Sequence, residues 1–237
     1  MLTLAIDSSQ DICTLALGKD SNLLCEYHFH HKMNLLQRIM PNIEQILRDA
    51  KYTTQDLEGI IVSLGPGSFT GLRIGITIAK SLAYVLAKPI VGVGTLDVIA
   101  LGVAPSNTDL ICPMIFARAS EVYWSLFDSS GEVRIEEYAA SEIHHVLDSV
   151  TNHGNSVYFC GTGATRNAEA IRHQFGNKAV AGKPWSDFAR GAALIEAGSK
   201  RLREGHIDNP LTLTPMYIKK PTPVVKLESG EFEKTKQ

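Results

Sequence analysis

Short apolar runs separated by polar turns dominate the first part of the chain. Residues 2–8, 12–18 and 23–29 are runs of this kind, and they predict three consecutive strands. Residues 34–50 instead place apolar side chains at helical spacing, which predicts a helix. Pro41 lies inside that stretch, so we expect a kink or a break about one turn before it.

A glycine-rich segment interrupts the next apolar run, residues 60–64, which predicts a buried strand. Gly65-Pro66-Gly67 ends this strand sharply. Ser68 or Thr70 can cap a new helix by accepting a free amide of its first turn. That helix is predicted over residues 71–87, and it is apolar nearly all round.

Small residues recur at every fourth position of this helix and therefore share one face: Gly71, Gly75, Ala79, Ala83 and Ala87. Glycine inside a helix costs roughly 1 kcal/mol relative to alanine, so a face without side chains needs a reason. One interpretation is burial beneath the chain's own sheet. The other is contact with a second polypeptide, and the pattern leaves both open.

The order of elements then repeats. A short strand at 90–94 completes the first set. The second set consists of strands 111–117, 122–127, 132–138, 157–160 and 178–181 and helices 141–150, 164–175 and 186–204. Ser141 and Ser186 are the predicted caps of the first and last of these helices. This order, in which three strands are followed by a helix, a strand, a helix and a strand, is the ribonuclease-H-like order.

We therefore predict an α/β protein of two tandem ribonuclease-H-like halves, the plan of the actin, hexokinase and Hsp70 fold, with a degenerate second half. The halves are residues 1–104 and 105–220, and helix 186–204 is free to pack back on the first half. The tail, residues 221–237, has two prolines followed by Glu-Lys-rich sequence and is expected to be disordered.

Composition restricts the class of function. The 237 residues carry a formal charge of −2, so no global basic excess favours unaided binding of nucleic acid. The four cysteines lie far apart without a C-x-x-C pair, which favours buried thiols in a reducing compartment. The start of the chain lacks a basic region, and Arg73 and Lys80 argue against a membrane span. We expect a cytoplasmic protein with no membrane partner.

Six segments together resemble one known family: Leu-Ala-Ile-Asp-Ser-Ser (4–9), Gly-Pro-Gly-Ser-Phe-Thr-Gly-Leu-Arg-Ile-Gly (65–75), Ala-Lys-Ser-Leu-Ala (79–83), Val-Gly-Val (91–93), Glu-Val-Tyr (121–123) and Pro-Met-Tyr-Ile-Lys (215–219). They resemble the bacterial TsaB family, also called YeaZ. The eleven-residue glycine stretch is the most specific part, and the resemblance covers most of residues 1–220.

The resemblance implies a non-catalytic scaffold that binds the enzyme TsaD. With the ATPase TsaE, these proteins place a threonylcarbamoyl group on the tRNA adenosine beside the anticodon. The helix after the glycine stretch builds the interface with TsaD or with a second copy of the chain. Homodimerisation in isolation, and contact with tRNA only through the complex, are the corresponding expectations. The implied interface residues are Gly71, Leu72, Arg73, Gly75, Ile76, Ala79, Lys80 and Ala83.

Arg73 and Lys80 lie two turns apart on the same side of this helix. Either they are solvated surface, or they frame the partner interface and pair with acids or tRNA phosphates.

The alternative hypothesis is an ATP-binding or phosphotransfer enzyme of the same fold. Its weak candidates are Asp7, where this fold class usually holds a metal–phosphate ligand, and Gly65 and Gly67, whose loop could offer amides to an anion. The loop matches neither the dinucleotide fingerprint nor the P-loop. Phe116 stands where the TsaB pattern generally has an aspartate, and an apolar ring cannot hold a phosphate. We therefore expect no cofactor of its own, with ATP or ADP only in the assembled complex.

Metal and protease chemistry are both disfavoured by spacing. His28, His30 and His31 crowd a strand end instead of following the H-x-x-x-H pattern of a helical metal site. His31 matches a histidine of the TsaB pattern, but Lys32 and Met33 depart from it. Ser8, Ser63 and Ser68 have no histidine and acid that the sequence places beside them, so we expect no catalytic residue and no metal.

Overall fold

Two five-stranded mixed sheets are present in the computed structural model, which describes residues 1–31, 34–103, 108–154 and 156–219. The first sheet contains β1 (Leu2–Asp7), β2 (Ile12–Lys19), β3 (Asn22–His30), β4 (Gly59–Gly65) and β5 (Ile90–Gly94) in the spatial order β3-β2-β1-β4-β5. β2 is antiparallel to β1 and β3, whereas β1, β4 and β5 are parallel.

The second sheet repeats this plan. It contains β6 (Leu110–Arg118), β7 (Glu121–Asp128), β8 (Arg134–Glu142), β9 (Val157–Cys160) and β10 (Ala179–Ala181) in the order β8-β7-β6-β9-β10. The first strand of each half is the central strand, and the second and third strands meander from it. The predicted pair of ribonuclease-H-like halves is therefore confirmed.

Seven helices in the described residues form three apolar layers with the sheets. They are α1 (Leu35–Asp49), α2 (Phe69–Val85), α3 (Thr95–Leu101), α4 (Ile143–Thr151), α5 (Thr162–Arg166), α6 (Ala168–Phe175) and α7 (Gly191–Arg203). α1 and α2 cover the outer face of the first sheet, and α4 to α6 cover the outer face of the second. α3 and α7 share an apolar cluster with both sheets. Residues 104–107, where the predicted halves divide, and the tail 221–237 lie outside the described residues.

The last helix of the chain packs on the first sheet. A Cβ atom on Gly18 would lie 2.5 Å from Ile195 of α7, and one on Gly198 would lie 2.3 Å from Ile61. These glycines allow α7 to approach β2 and β4 more closely than side chains would permit. The inner face of the first sheet is therefore covered by a helix from the far end of the sequence.

Several predicted boundaries are corrected. α1 continues through Pro41 without a break, because five apolar side chains on one face hold it against the sheet: Leu35, Ile39, Ile43, Ile46 and Leu47. The helix expected over 164–175 is divided at Asn167 into α5 and α6. The helix α3 had no counterpart in the predicted order.

Both predicted serine caps in the second half are wrong. Ser141 belongs to β8, and α4 starts after Glu142. Ser186 ends a short 3-10 turn, where its hydroxyl donates to the Lys183 carbonyl at 2.7 Å, and α7 starts only at Gly191. A polar residue before an apolar run is equally compatible with a turn. In the first half, Ser68 does cap α2, accepting the Gly71 amide at 3.2 Å.

The small-residue face of α2 is buried beneath the chain's own sheet. Gly71 and Gly75 are buried, and Ala79 and Ala83 are almost fully buried. A Cβ on Gly71 would lie 2.1 Å from the carbonyl oxygen of Ser8 at the end of β1. Leu72 and Ile76 are also buried, each at 3% exposure or less. In the folded chain this face therefore packs on the chain's own sheet, which is the first of the two interpretations.

Replacing Gly71 by alanine distinguishes a buried face from an exposed one. On an exposed helix face the change would stabilise by roughly 1 kcal/mol. Here the new methyl group meets a backbone oxygen that cannot move aside, so we expect a loss of about 1–3 kcal/mol, measured by urea unfolding. Thr77→Ala, at an exposed position of the same helix, should change the unfolding free energy by less than about 0.5 kcal/mol. Stabilisation by Gly71→Ala would contradict the burial.

Glu26 on β3 ties the start of α7 to the first sheet. Its carboxylate accepts the Gly191 amide, the Arg190 guanidinium at 3.4 Å and Nε2 of His28 at 2.9 Å. Burial alone would raise the pKa of Glu26, but these hydrogen bonds outweigh it and lower the pKa from 4.5 to about 2. The folded state therefore favours the ionised carboxylate.

The lowered pKa of Glu26 predicts acid sensitivity. A carboxylate with a depressed folded-state pKa contributes stability above its unfolded pKa of 4.5 and loses it as the pH falls toward about 2. We expect Glu26 to contribute up to about 3 kcal/mol near neutral pH, declining between about pH 5 and pH 2. Urea unfolding across this range should show a shallower decline for Glu26→Gln. Glu44→Gln, at an exposed position on α1, should keep the wild-type profile.

Candidate functional site

The glycine segment between β4 and α2 packs against the turn that joins β1 to β2. A cis peptide bond precedes Pro66. The Ser68 amide donates to the Ser9 carbonyl at 2.6 Å, and a Cβ on Gly67 would lie 2.2 Å from the same oxygen. This position needs glycine because backbone meets backbone there. The chain's own carbonyl thus takes up a loop amide that an anion would otherwise use.

Asp7 is fully buried at the end of β1. The Ser9 hydroxyl donates to its carboxylate at 3.0 Å, and the Ser9 amide lies 3.3 Å from Oδ1. Burial raises the pKa of Asp7 above its ordinary value, although the hydrogen bonds oppose this. Of the three weak candidates, only Gly67 lines the cleft described below; Asp7 and Gly65 do not.

Arg73 and Lys80 both contact the C-terminal strap, which we define as residues 208–219. The Lys80 ammonium donates to the carbonyls of Leu213 at 2.9 Å and Leu211 at 3.4 Å. The Arg73 guanidinium donates to the Tyr217 hydroxyl at 3.0 Å and lies 3.8 Å from the Phe69 ring centroid. Both cations therefore hold the chain's own C-terminal segment on α2, and neither is simply solvated.

The strap joins the two halves. At its start, the Asp208 carboxylate accepts the Gly92 amide at 2.8 Å. Further on, the Met216 amide donates to the Leu64 carbonyl at 2.7 Å. At its end, Lys219 pairs with Glu121 of β7 in the second half. A short extended segment thus connects β5, β4 and β7.

A cleft of about 750 Å³ lies between the two halves. Gln10 and Phe69 of the first half line it together with Phe116 and Arg166 of the second. The Phe116 ring is covered by the Arg166 guanidinium, whose carbon lies 3.8 Å from the ring centroid. Tyr217 of the strap also contributes. The cleft is therefore lined by aromatic rings and a stacked guanidinium.

The motif Glu-Val-Tyr (121–123) also reaches this cleft. Arg118 pairs with Glu121 at 3.2 Å, and both residues line the cleft with Tyr123. Lys219 shares the same carboxylate, and its hydrogen bond is the largest cause of a lowered pKa at Glu121. These residues thus form a charged cluster where the strap meets β7.

Sequence reasoning missed Gln10, Arg166 and Asp187. The Gln10 amide donates to the Asp187 carbonyl at 3.0 Å and lies 3.4 Å from the Thr162 hydroxyl. These partners are 177 and 152 residues away along the chain, so no local spacing connects them. Only their chemistry, an amide in a turn and an acid near a helix start, was visible in the sequence.

The three clustered histidines occupy separate environments. His28 contacts Glu26, whereas Nε2 of His31 lies 2.8 Å from the Gln10 carbonyl. His30 lines the cleft. Among the described residues, no group of three His, Cys, Asp or Glu side chains is placed to hold a metal ion. Lys32 and Met33, which depart from the family pattern, lie outside those residues.

The candidate serines are taken up by structural contacts. The Ser8 hydroxyl donates to the Gly71 carbonyl at 2.8 Å, and Ser68 caps α2. Ser63 is buried in β4. These serines therefore stabilise α2 and the first sheet.

The outer face of α2 points away from the sheet. We define it as Phe69, Arg73, Thr77, Ser81, Tyr84 and Val85, which are all exposed. Tyr84 and Val85 are 68% and 78% exposed. On α1, Leu36 and Met40 are also exposed apolar side chains.

Within the described residues, no helix combines the length and the apolar character needed to cross a bilayer.

Comparison with known proteins identifies the family. Residues 30–221 match the family described as TsaD: tRNA N6-adenosine threonylcarbamoyltransferase. The tRNA threonylcarbamoyladenosine biosynthesis protein TsaB of Bacillus subtilis (strain 168) is 30% identical over 204 residues, which cover 85% of this chain and 88% of that protein. The chain belongs to the TsaB family. The Escherichia coli (strain K12) TsaB is 36% identical over 143 residues, covering 59% of this chain and 62% of that protein.

Solved structures agree with this TsaB fold. YeaZ from Pseudomonas aeruginosa superposes with a TM-score of 0.74 at 22% identity, covering 91% of this chain and 99% of that one. The (R)-2-hydroxyglutaryl-CoA dehydratase component A of Acidaminococcus fermentans gives a TM-score of 0.53 at 10% identity, covering 86% and 99%. These similarities confirm the fold of two tandem halves and support no statement about function.

Lys80→Met tests whether this lysine holds the strap. Removing a charged donor from two carbonyls should weaken the strap by roughly 1.5 kcal/mol, about tenfold in its opening equilibrium. Hydrogen exchange of a peptide covering the strap, followed by mass spectrometry, should then accelerate by about that factor. Lys88→Met, just beyond α2, should leave the exchange unchanged. Equal rates in wild type and Lys80→Met would show that Lys80 does not anchor the strap.

Proposed function

We propose that the chain is a non-catalytic scaffold subunit in threonylcarbamoylation of the tRNA adenosine beside the anticodon. It acts by binding a TsaD-type enzyme, with a TsaE-type ATPase as a further component, and it pairs with a second copy when alone. The names of the TsaB relatives, and the transferase family that residues 30–221 match, support this assignment.

The observation that carries the proposal is the exposed apolar character of the outer face of α2. Because the small-residue face packs on the chain's own sheet, we place the contact on the opposite side of α2, which carries the exposed Tyr84 and Val85. Exposed clusters of large apolar side chains mark interaction sites more often than isolated ones do. Arg73 belongs to the same outer face and contributes to the partner contact, while its guanidinium donates to the Tyr217 hydroxyl.

Three features support a role without turnover. Asp7 is fully buried beside Ser9, whose hydroxyl donates to its carboxylate. The Ser68 amide at the end of the glycine segment already donates to the Ser9 carbonyl. Phe116 stands where a polar side chain would be needed to hold a phosphate. The alternative, an ATP-binding or phosphotransfer enzyme using Asp7 and the Gly65–Gly67 loop, is disfavoured by the same contacts. A nucleotide would then enter only with the assembled complex, and tRNA would be held through the partner, because the chain carries a net charge of −2.

Val85→Glu tests the surface. Burying an unpaired carboxylate at the contact should weaken both self-association and TsaD binding by at least about thirtyfold, equivalent to about 2 kcal/mol. Size-exclusion chromatography with light scattering measures both, using the chain alone and mixed with TsaD from the same organism. We expect a wild-type dimer that converts to a one-to-one heterodimer.

Val133→Glu is the matched control, because Val133 is 59% exposed in the turn before β8 and receives the same substitution. It should assemble as wild type does. If Val85→Glu assembles normally, the contact is not on α2. If the wild-type chain is a strict monomer that ignores TsaD, the scaffold role fails.

A further inference from the structure

We propose that the C-terminal strap is a latch that sets the opening between the two halves, and that the second half swings about a fixed joint at the far end of one pair of strands. The latch is the ion pair between Lys219 of the strap and Glu121 of β7. The joint is formed by Asp97, Arg134 and Tyr138. This device belongs to the single chain, so it does not depend on the scaffold role.

The joint connects α3 of the first half to β8 of the second. The Arg134 guanidinium donates to the Asp97 carboxylate at 2.7 Å, and its carbon lies 4.2 Å from the centroid of the Tyr138 ring. The Tyr138 hydroxyl accepts the Asp97 amide at 3.2 Å, and a Cβ on Gly94 would lie 2.0 Å from the same hydroxyl oxygen. Tyr138 also packs against the apolar cluster that both sheets share. Backbone, ring and ion pair therefore fix this part of β8 on the first half.

The strap is anchored on the first half before it reaches the second. The Leu213 side chain is buried in the apolar core of the first half. The Met216 amide donates to the Leu64 carbonyl at 2.7 Å, and the Tyr217 ring lies 5.3 Å from the ring of Phe69, centroid to centroid. Together with the hydrogen bonds from the two cations of α2, these contacts make the strap an arm of the first half.

The tip of this arm meets the second half through an exposed ion pair. The side chains of Lys219 and Glu121 are 38% and 22% exposed, and Arg118 shares the same carboxylate. Ion pairs open to solvent shift an equilibrium by about fivefold at most, and they weaken as salt is added. The latch can therefore open under conditions that leave the packed ring of the joint in place.

Latch and joint lie toward opposite ends of the β7–β8 pair. Glu121 pairs with Glu142 at one end of this ladder, and Phe127 pairs with Arg134 at the other. The strand between Glu121 and Phe127 is an arm of roughly 20 Å. Separating the ion pair by about 4 Å at the end of this arm is a rotation on the order of 10°. Because Glu121 lines the cleft, such a rotation widens the mouth of the cleft.

The test measures distances between two spin labels by double electron–electron resonance. Gln55→Cys carries the reference label, since Gln55 is exposed in the turn before β4, at the opposite end of that strand from the strap. The second label replaces Ser120, beside the latch, or Ser129, in the turn beyond the other end of β7; both are exposed. Cys25→Ser removes the half-buried cysteine, and the other three cysteines are buried. Excess unlabelled chain makes each distance report on one molecule.

Glu121→Gln and Lys219→Met should each lengthen the distance from Gln55 to Ser120 by about 3–5 Å, and the distance to Ser129 by less than half as much. The wild-type chain should shift in the same direction at about 1 M sodium chloride, because the ion pair is exposed.

Glu142→Gln is the matched control. Glu142 is exposed and lies directly across the ladder from Glu121, and it receives the same substitution. It should give the wild-type distances. Asp97→Asn should instead broaden the distance to Ser129; if it does not, Asp97 is not part of the joint and the proposal fails.

Thermal melting of each variant establishes that it is folded, and the salt series on the wild-type chain keeps the test decisive if a variant is not. Unchanged distances in Glu121→Gln would overturn the latch. Equal lengthening to Ser120 and Ser129 would overturn the joint, because the halves would then separate without a pivot. Light scattering on the wild-type protein reports the scaffold role separately, so either proposal can fail alone.

Discussion

The contact between the glycine segment and the end of β1 governs much of this molecule. Gly67, Gly71 and Gly75 bring α2 against Ser8 and Ser9 so closely that any side chain would collide. This approach seals Asp7 inside the first half and occupies the loop amide with the chain's own carbonyl. It also fixes which side of α2 faces outward. One packing constraint therefore closes the position where this fold class holds phosphate and at the same time selects the exposed surface.

Local pattern was sufficient for the architecture. Alternating apolar runs and turn residues located all ten strands of the described residues, and repetition of their order indicated two similar halves. The Gly-Pro-Gly break narrowed the start of α2 to two candidate caps, Ser68 and Thr70, and the structure has Ser68. Ser141 and Ser186 lacked such a break, and tertiary packing decided where α4 and α7 start.

The site was less accessible to sequence reasoning. A stripe of small residues looks the same whether it lies under the chain's own sheet or against another protein, because both demand close approach of backbones. The sequence left Arg73 and Lys80 as either solvated surface or part of a partner interface, because their partners, Tyr217 and Leu213, lie 144 and 133 residues away. Gln10 showed only an amide in a turn, since its partners come from the opposite half of the chain. Such long-range polar pairs are determined by the fold and not by spacing.

The placement of α7 has a consequence for biosynthesis. All five strands of the first sheet have been made by Gly94, yet the helix that covers their inner face spans Gly191–Arg203. At translation rates of about 5–20 residues per second, the nascent first half waits on the order of ten seconds with that apolar face uncovered. Its folding on the ribosome is therefore incomplete until α7 has emerged, and chaperones have that interval in which to act.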